Sequence, residues 1–241
     1  MKGLTFENLQ NITKGRLSGS RFDTGREVTA VISDSRKVTE GCLFLCIKGE
    51  RSDGHDFAKQ AVADGAAGVV AEHKIPGLGA PCLVVGSVLN AAQEIAAYYR
   101  RKLDITVVGV TGSVGKTSTK EFIASVLKQR YRTAKTKGNF NNQWGVPFTI
   151  FDLTSDDEVA VIEMGISDFG EMDRLSYIAK PDIVVITNIG QSHLEFFRTR
   201  DGILKAKTEI FNHMNPEGRV ILNKGYASPE GSVEVNERIA R

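Results

Sequence analysis

Short apolar runs alternate with helical patterns along most of this sequence. Gly68–Ala71 and Asp104–Val110 are typical of strands. Asp56–Gly65 and Glu171–Ala179 are typical of helices, and Ser87 can cap a further helix that runs to about Arg101. Strands and helices that alternate in this way build βαβ units around a largely parallel sheet. The alternation therefore predicts an α/β fold.

The pattern divides near Lys102, because a new series of strands and helices begins at Leu103. We expect an N-terminal α/β domain at residues 1–102 and a mostly parallel, doubly wound domain at residues 103–223. Residues 224–241 lose the pattern and are predicted to form a polar tail. Since the second domain stops directly after a strand, we predict that it is truncated.

Hydrophobic residues make up 41% and charged residues 25% of the 241 residues, the balance of an ordinary soluble protein. The basic residues form no stripe, so we expect no nucleic-acid partner. Runs such as Ile105–Val110 are too short to cross a bilayer, which predicts no membrane insertion. Cys42, Cys46 and Cys82 lack metal-type spacing, which favours reduced thiols in a cytoplasmic protein.

A glycine-rich loop lies between a predicted strand and a predicted helix, and its sequence is Thr111-Gly112-Ser113-Val114-Gly115-Lys116-Thr117. Glycines let the backbone close around phosphate oxygens, while the unpaired N–H groups and the dipole of the helix attract anions. We predict that ATP binds here. Lys116 would reach the outer phosphates, and the Thr117 hydroxyl would bind the Mg²⁺ of the nucleotide.

This loop is a shortened variant of the common G-x-x-x-x-G-K-[ST] motif. Val110 stands where that motif has its first glycine, and Gly109 is one residue too early. The alternative explanation is a glycine-rich turn with a chance lysine. The strand before the loop and the helix after it disfavour that alternative.

With this variant loop, the sequence resembles the Mur ligase family over about residues 25–223. Several separated segments carry the resemblance: Asp34–Arg36, Asp53–Phe57, Thr111–Glu121, Lys137–Asn142, Gly145–Pro147, Glu163–Gly165, Thr187–Ile189, His193–Glu195 and Ala206-Lys207. Lys137–Asn142 and Glu163–Gly165 resemble the branch of the family that adds D-Ala-D-Ala.

The resemblance implies a fold of three domains, of which this chain would lack the C-terminal ligase domain. The N-terminal domain would bind the UDP part of the substrate, and the central domain would bind ATP. Lys224–Tyr226 replaces the acidic continuation that family members show after the last strand. We therefore expect this short chain to be inactive by itself.

The reaction implied by the resemblance is ATP-dependent amide formation. The γ-phosphate passes to the terminal carboxylate of UDP-N-acetylmuramoyl-tripeptide and gives an acyl phosphate. The amine of D-Ala-D-Ala then attacks, and phosphate leaves. Because two anions must meet, the site needs Mg²⁺ and positive charge.

The resemblance also implies where the nucleotide and two Mg²⁺ ions bind. Nucleotide contacts are expected at Thr111, Gly112, Ser113, Val114, Gly115, Lys116, Thr117, Ser118 and Asn188. Catalytic roles are expected for Lys116, Glu163, His193 and Lys207. Thr117 and Glu163 would hold the first metal, and His193 the second. Lys207 matches a lysine that the family carbamylates, which requires a lowered pKa and gives an anion for the metal.

Each of these side chains also has a structural alternative. Glu163 could cap a neighbouring helix, and a histidine after a strand, as at His193, is more often hydrogen-bonded than metal-bound. Lys207 could be a solvated lysine on a helix, which is our interpretation of Lys205. Lys205 and Lys207 face different ways on a helix because they are two residues apart.

Substrate contacts are implied in both domains. The match places uridine and diphosphate contacts at Ser33, Ser35, Glu50, Arg51 and Ser52, and muramoyl-peptide contacts at Asn139, Asn141 and Asn142. A solvated turn would also explain these polar residues. Two functional alternatives stay open: another Mur-type amino-acid ligase, and a nucleotide- or UDP-sugar-binding module without turnover. We expect a monomer.

Overall fold

The computed structural model describes residues 1–19, 23–190, 197 and 199–223. The chain consists of two compact units, with the division between Lys102 and Leu103. None of the helices in the described part of the chain combines the length and apolar character that crossing a bilayer requires.

In its described residues, the first unit contains three α-helices and five short strands. The helices are α1 (Phe6–Thr13), α2 (Ala58–Ala63) and α3 (Val88–Arg100). The strands are β1 (Arg16–Ser18), β2 (Val31–Ile32), β3 (Leu43–Leu45), β4 (Gly68–Ala71) and β5 (Cys82–Val84). They form one sheet in the order β1-β5-β4-β3-β2. Only β1, which pairs with β5, is antiparallel among these strands.

Capping and burial explain the elements of this unit. Ser87 caps α3, because its hydroxyl accepts a hydrogen bond from the Asn90 amide (3.3 Å). Cys42, Cys46 and Cys82 lie buried among the apolar side chains of the core, and all three thiols are free. Burial raises the pKa of Cys46 to about 12, as expected for an unreactive core thiol.

The second unit contains four helices and five strands in its described part. The helices are α4 (Lys116–Leu127), α5 (Gly145–Phe151), α6 (Glu171–Ala179) and α7 (Arg200–Thr208). The strands are β6 (Thr106–Thr111), β7 (Thr133–Lys135), β8 (Val159–Glu163), β9 (Ile183–Ile186) and β10 (Arg219–Leu222). The sheet order is β10-β9-β6-β8-β7, and every pairing is parallel.

The predicted α/β class, with largely parallel sheets, is confirmed. Strand β4 and helix α6 have the predicted bounds. The helix predicted at Asp56–Gly65 is instead a 3-10 helix at Gly54–Phe57 followed by the short α2. Asp53 is the N-cap of the 3-10 helix, because its carboxylate accepts a hydrogen bond from the His55 amide (3.0 Å). The chain therefore begins to turn earlier than the spacing of the apolar residues indicates.

Three kinds of element escaped the sequence patterns. Strands β1 and β2 have only three and two residues, too few to show a period of two. Helix α5 is buried on most sides, so its apolar residues show no helical stripe. Helix α1 has only eight residues and precedes the first clear alternation of strand and helix patterns.

Candidate functional site

The glycine-rich loop joins the end of β6 to the start of α4 and depends on two unusual backbone conformations. Gly112 has φ of 143° and Gly115 has φ of 79°, a range that residues with a Cβ rarely adopt. A Cβ on Gly112 would also overlap the Thr187 hydroxyl. Glycine at 112 therefore lets β6 turn sharply into the helix.

The end of β9 holds this loop in place. The Asn188 side-chain oxygen accepts hydrogen bonds from the amides of Ser113 (3.2 Å) and Val114 (3.1 Å). The Thr187 hydroxyl donates to the Val114 carbonyl (2.6 Å). Asn188, which the resemblance implies as a nucleotide contact, thus has a clear structural role in shaping the loop.

The first turn of α4 faces the loop with amides that the helix itself leaves unpaired. Intrahelical bonding begins with the Thr119 amide, which donates to the Gly115 carbonyl (2.9 Å). The amides of Lys116, Thr117 and Ser118 therefore have no intrahelical acceptor. Together with the helix dipole, they form an anion-binding end of the type that holds phosphate.

Lys116 folds over the loop. Its ammonium donates to the Gly112 carbonyl (3.0 Å). Partial burial lowers the pKa of Lys116, while the negative charge of Glu163 acts in the opposite direction. The charge is therefore held at the place where a phosphate group would meet the loop.

Glu163 is the last residue of β8, and its side chain is buried. Its Oε1 accepts hydrogen bonds from the Thr117 hydroxyl (3.1 Å) and the Asn141 side-chain amide (2.8 Å). Its Oε2 has no hydrogen bond. This oxygen forms an ion pair with the Lys120 ammonium, which lies 3.5 Å away. Among the described residues, this carboxylate accepts no hydrogen bond from a helix amide, so it does not cap a neighbouring helix there.

Glu163 and Thr117 fit a divalent cation. Both present hard oxygen ligands, and the carboxylate is not fully satisfied by hydrogen bonds. Among the described residues no group of three or more acidic, histidine or cysteine side chains could hold a metal. The single carboxylate of Glu163 suits Mg²⁺, which commonly takes one or two carboxylates and completes its shell with water and substrate phosphates.

Lys207 lies on α7 and is only 1% exposed, whereas Lys205 on the same helix is exposed. Burial lowers the pKa of Lys207 to about 8, and the positive charge of Lys116 acts in the same direction. A solvated lysine is therefore excluded at position 207. His193, its expected neighbour at the second metal, lies outside the described residues.

The three asparagines of the turn after Lys137 have different surroundings. Asn141 contacts Glu163, as described above, and its backbone carbonyl accepts from the Gly165 amide (2.8 Å). Asn142 accepts from the amides of Trp144 (3.1 Å) and Gly145 (2.9 Å) at the start of α5, so turn chemistry accounts for it. Asn139 is exposed.

The implied substrate residues of the first unit lie on its polar loops. Ser35 begins a 3-10 helix at Ser35–Lys37, capped by Asp34. Hydrogen bonds from Arg36 lower the pKa of Asp34 to about 2. Ser33 is half-buried, and Glu50, Arg51 and Ser52 are exposed.

Two residues of the site were missed by the sequence patterns. Lys120 is completely buried and contacts Glu163, and the Thr136 hydroxyl accepts from the Glu163 amide (3.0 Å). Lys120 had a usable signal, because it lies four residues after Lys116 and so on the same face of α4. Thr136 had none, since it follows a strand of only three residues.

A groove of about 390 Å³ runs beside the loop, between the start of α4 and the ends of β9 and β10. Its lining includes Val114, Gly115, Ile186, Asn188 and Ile221. Apolar walls with a few polar groups, at the carboxyl ends of parallel strands, are typical of small-molecule sites.

A parallel sheet, a glycine-rich loop with its lysine, and a threonine–glutamate pair define a P-loop-type nucleotide-binding protein. Residues 110–235 match the Mur ligase middle domain, and residues 27–112 match the catalytic domain of the Mur ligase family. The chain belongs to the Mur ligase family.

Similar proteins carry a more specific name. A Bacillus subtilis protein named UDP-N-acetylmuramoyl-tripeptide–D-alanyl-D-alanine ligase is 42% identical over 90% of this chain and 48% of its own length. The Escherichia coli protein of that name is 40% identical over 92% of this chain and 48% of its own length. The chain thus spans about half the length of the curated relatives it matches.

Solved structures show the same relation. A MurF structure from Acinetobacter baumannii has a TM-score of 0.86 at 36% identity, covering 98% of this chain and 51% of that chain. A MurF ligase from Thermotoga maritima, solved in complex with ADP, has a TM-score of 0.78 at 35% identity. That match covers 88% of this chain and 48% of the other.

Proposed function

We propose that this protein acts in ATP-dependent ligation of D-Ala-D-Ala to UDP-N-acetylmuramoyl-tripeptide, a step of peptidoglycan precursor synthesis. The observation that supports this most is the loop Thr111–Thr117, in which Thr117 is hydrogen-bonded to Glu163. The chain is also similar to proteins named as D-alanyl-D-alanine ligases. Residues 103–223 would bind MgATP, and residues 1–102 would bind the UDP end of the substrate. The protein would be cytoplasmic and monomeric.

The start of α4, Lys116, Thr117 and Glu163 would each have a defined task in phosphoryl transfer. The amides at the start of α4 and the Lys116 ammonium would orient the β- and γ-phosphates. Thr117 and Glu163 would hold the first Mg²⁺, which when bound neutralises phosphate charge. The γ-phosphate passes to the tripeptide carboxylate, and the D-Ala-D-Ala amine displaces it from the resulting acyl phosphate.

Lys207 would contribute to a second Mg²⁺ site with His193. With its pKa lowered to about 8, a useful fraction of the amine is neutral near physiological pH. A neutral amine can react with carbon dioxide and form a carbamate, whose negative charge suits a metal. The nearby charge of Lys116 would further stabilise that anion.

The substrate contacts are proposed at the two sets of polar residues already described. Asn139 is exposed beside Asn141, so its side chain is available to the muramoyl-peptide. Ser33, Ser35 and the exposed loop at Glu50–Ser52 would contact uridine and diphosphate.

Nucleotide binding by the 241-residue chain tests the first part of this proposal. Calorimetric titration with MgADP should show binding, and Lys116→Ala should weaken it by at least about tenfold, because a charge-assisted contact to phosphate is lost. The control is Lys128→Ala, which removes an exposed lysine just beyond the other end of α4. Equal affinity in the Lys116 and Lys128 variants would refute the assignment of the loop.

A second candidate function is nucleotide or UDP-sugar binding without turnover. Phosphate release from ATP, measured with and without D-Ala-D-Ala in the presence of the tripeptide substrate, separates the two. Release that depends on D-Ala-D-Ala would rule out the binding module.

A further inference from the structure

Lys120 is a fully buried lysine that the nucleotide chemistry above does not use. Its ammonium lies 3.1 Å from the Gly138 carbonyl, 3.3 Å from Glu121 Oε1 and 3.5 Å from Glu163 Oε2. The ammonium donates a hydrogen bond to the Gly138 carbonyl, and the two carboxylates lie within ion-pair distance of it. A buried charge is tolerated only with such compensation.

The contact with Glu163 orients the carboxylate. Lys120 lies on the Oε2 side, while Thr117 and Asn141 both contact Oε1. The two sides of the carboxylate therefore face different groups. With Oε2 paired to Lys120, Oε1 is the oxygen that faces the Thr117 hydroxyl.

The contact with Gly138 fixes the turn that carries the asparagines. Gly138 has φ of 51°, the left-handed conformation that turns the chain, and its carbonyl points to Lys120. Three residues later, Asn141 returns to Glu163. Lys120, Gly138, Asn141 and Glu163 therefore form a closed ring that joins α4, the end of β8 and the turn.

We propose that Lys120 is a positioning residue that couples the phosphate-binding helix to the turn at residues 138–142. It would hold Glu163 for the divalent cation and at the same time hold the turn that presents Asn139 to the muramoyl-peptide. The presentation of Asn139 to the substrate rests on the proposed function, whereas the contact by which Lys120 fixes the turn does not depend on it.

Hydrogen exchange of the ligand-free, full 241-residue chain tests the hold on the turn. In Lys120→Met, the amides of Asn141 and Gly165 should exchange at least about tenfold faster, because the turn loses its anchor. The β9 amides at Ile183–Ile186 report on global unfolding and should change by less than about twofold. Lys128→Met, at an exposed position, is the matched control and should leave all of them unchanged.

A second variant keeps the test decisive if the buried Glu163 carboxylate prevents Lys120→Met from folding. Lys120→Met combined with Glu163→Gln removes both buried charges and should fold. Faster exchange at Asn141 and Gly165 is still expected there, since the Gly138 contact is lost. Exchange at the wild-type rate in the double variant would overturn the proposal.

The effect on the metal is measured separately with Mn²⁺ and ADP. Electron paramagnetic resonance of the ADP-saturated chain should show Mn²⁺ affinity reduced at least about fivefold in Lys120→Met. ADP affinity without divalent cation should change by less than about twofold, because the loop amides and Lys116 remain. Unchanged Mn²⁺ affinity would overturn the orienting role. Absence of ADP binding by the wild-type chain would refute the proposed function, and the exchange result would still decide the hold on the turn.

Discussion

At the residue scale, Lys207 is a buried lysine whose surroundings disfavour its charged form. Its side chain is 1% exposed, and both burial and the nearby Lys116 lower its pKa, to about 8 from 10.5. The unfolded chain therefore binds more protons than the folded one between these two pKa values. Folding is penalised below about pH 8, and the penalty is relieved as the pH rises.

Lys207→Met should remove much of this pH dependence. From about pH 7 to about pH 9, the free energy of unfolding of the wild type relative to that of Lys207→Met should rise by about 1 kcal/mol, measured by urea denaturation. The same rise is expected for Lys205→Met relative to Lys207→Met, because Lys205 is at an exposed position on the same helix. Identical pH dependence in the two variants would show that Lys207 is not the source.

The wild type is compared with a variant because the core thiols act in the opposite direction near pH 9 and are the same in both proteins. Burial raises the pKa of Cys42, Cys46 and Cys82 above the ordinary value of 9.0. The folded chain then binds more protons than the unfolded chain at higher pH, and stability falls as the pH rises.

At the element scale, the connection from β6 to α4 depends on two glycines with unequal constraints. Gly112 combines φ of 143° with a close approach to Thr187, while Gly115 has φ of 79° and open space around it. Alanine at 115 would meet only the backbone strain of the left-handed region, whereas alanine at 112 would also displace the end of β9.

Gly112→Ala should therefore be more destabilising than Gly115→Ala. We expect losses in the free energy of unfolding of about 3 kcal/mol at position 112 and about 1 kcal/mol at position 115, measured by urea denaturation. Gly115→Ala is the matched control for backbone strain alone. Equal losses would mean that the Thr187 contact carries no constraint.

At the scale of the whole molecule, each of the two compact units has buried apolar residues of its own. Leu83 on β5 belongs to the first unit and Ile162 on β8 to the second, and both are completely buried. Replacing a buried leucine or isoleucine by alanine costs about 2–5 kcal/mol, and the cost falls on the core that loses the contacts.

Calorimetry should accordingly show two thermal transitions. Leu83→Ala should lower the midpoint of one transition, and Ile162→Ala should lower the midpoint of the other. The two variants serve as controls for each other. One transition that both substitutions shift equally would mean that the two cores unfold as a single cooperative unit.

The α/β class and the position of the phosphate loop were predictable because local signals determine them. A strand of β-type apolar residues, glycines at a turn and a helix start are contiguous in sequence, as at β6 and Gly112–Lys116. Long, strongly patterned elements such as α3 and α6 were also predictable. The short β1 and β2 and the buried α5 were not, since their partners, and not their own periodicity, stabilise them.

The residues of the site also divide into those that local sequence predicts and those that it does not. Lys116 and Thr117 belong to one contiguous motif, whereas Glu163, Asn188 and Lys207 were identified by resemblance. The catalytic roles of Glu163 and Lys207 and the nucleotide contact of Asn188 stay predictions. Local sequence determined the loop, because glycine conformations and a helix start are local properties. Only the tertiary structure decided that Lys120 meets Glu163 and Gly138, and that Lys207 is buried near Lys116. Burial and charge pairing depend on which parallel strands become neighbours, and residues far apart in sequence decide that.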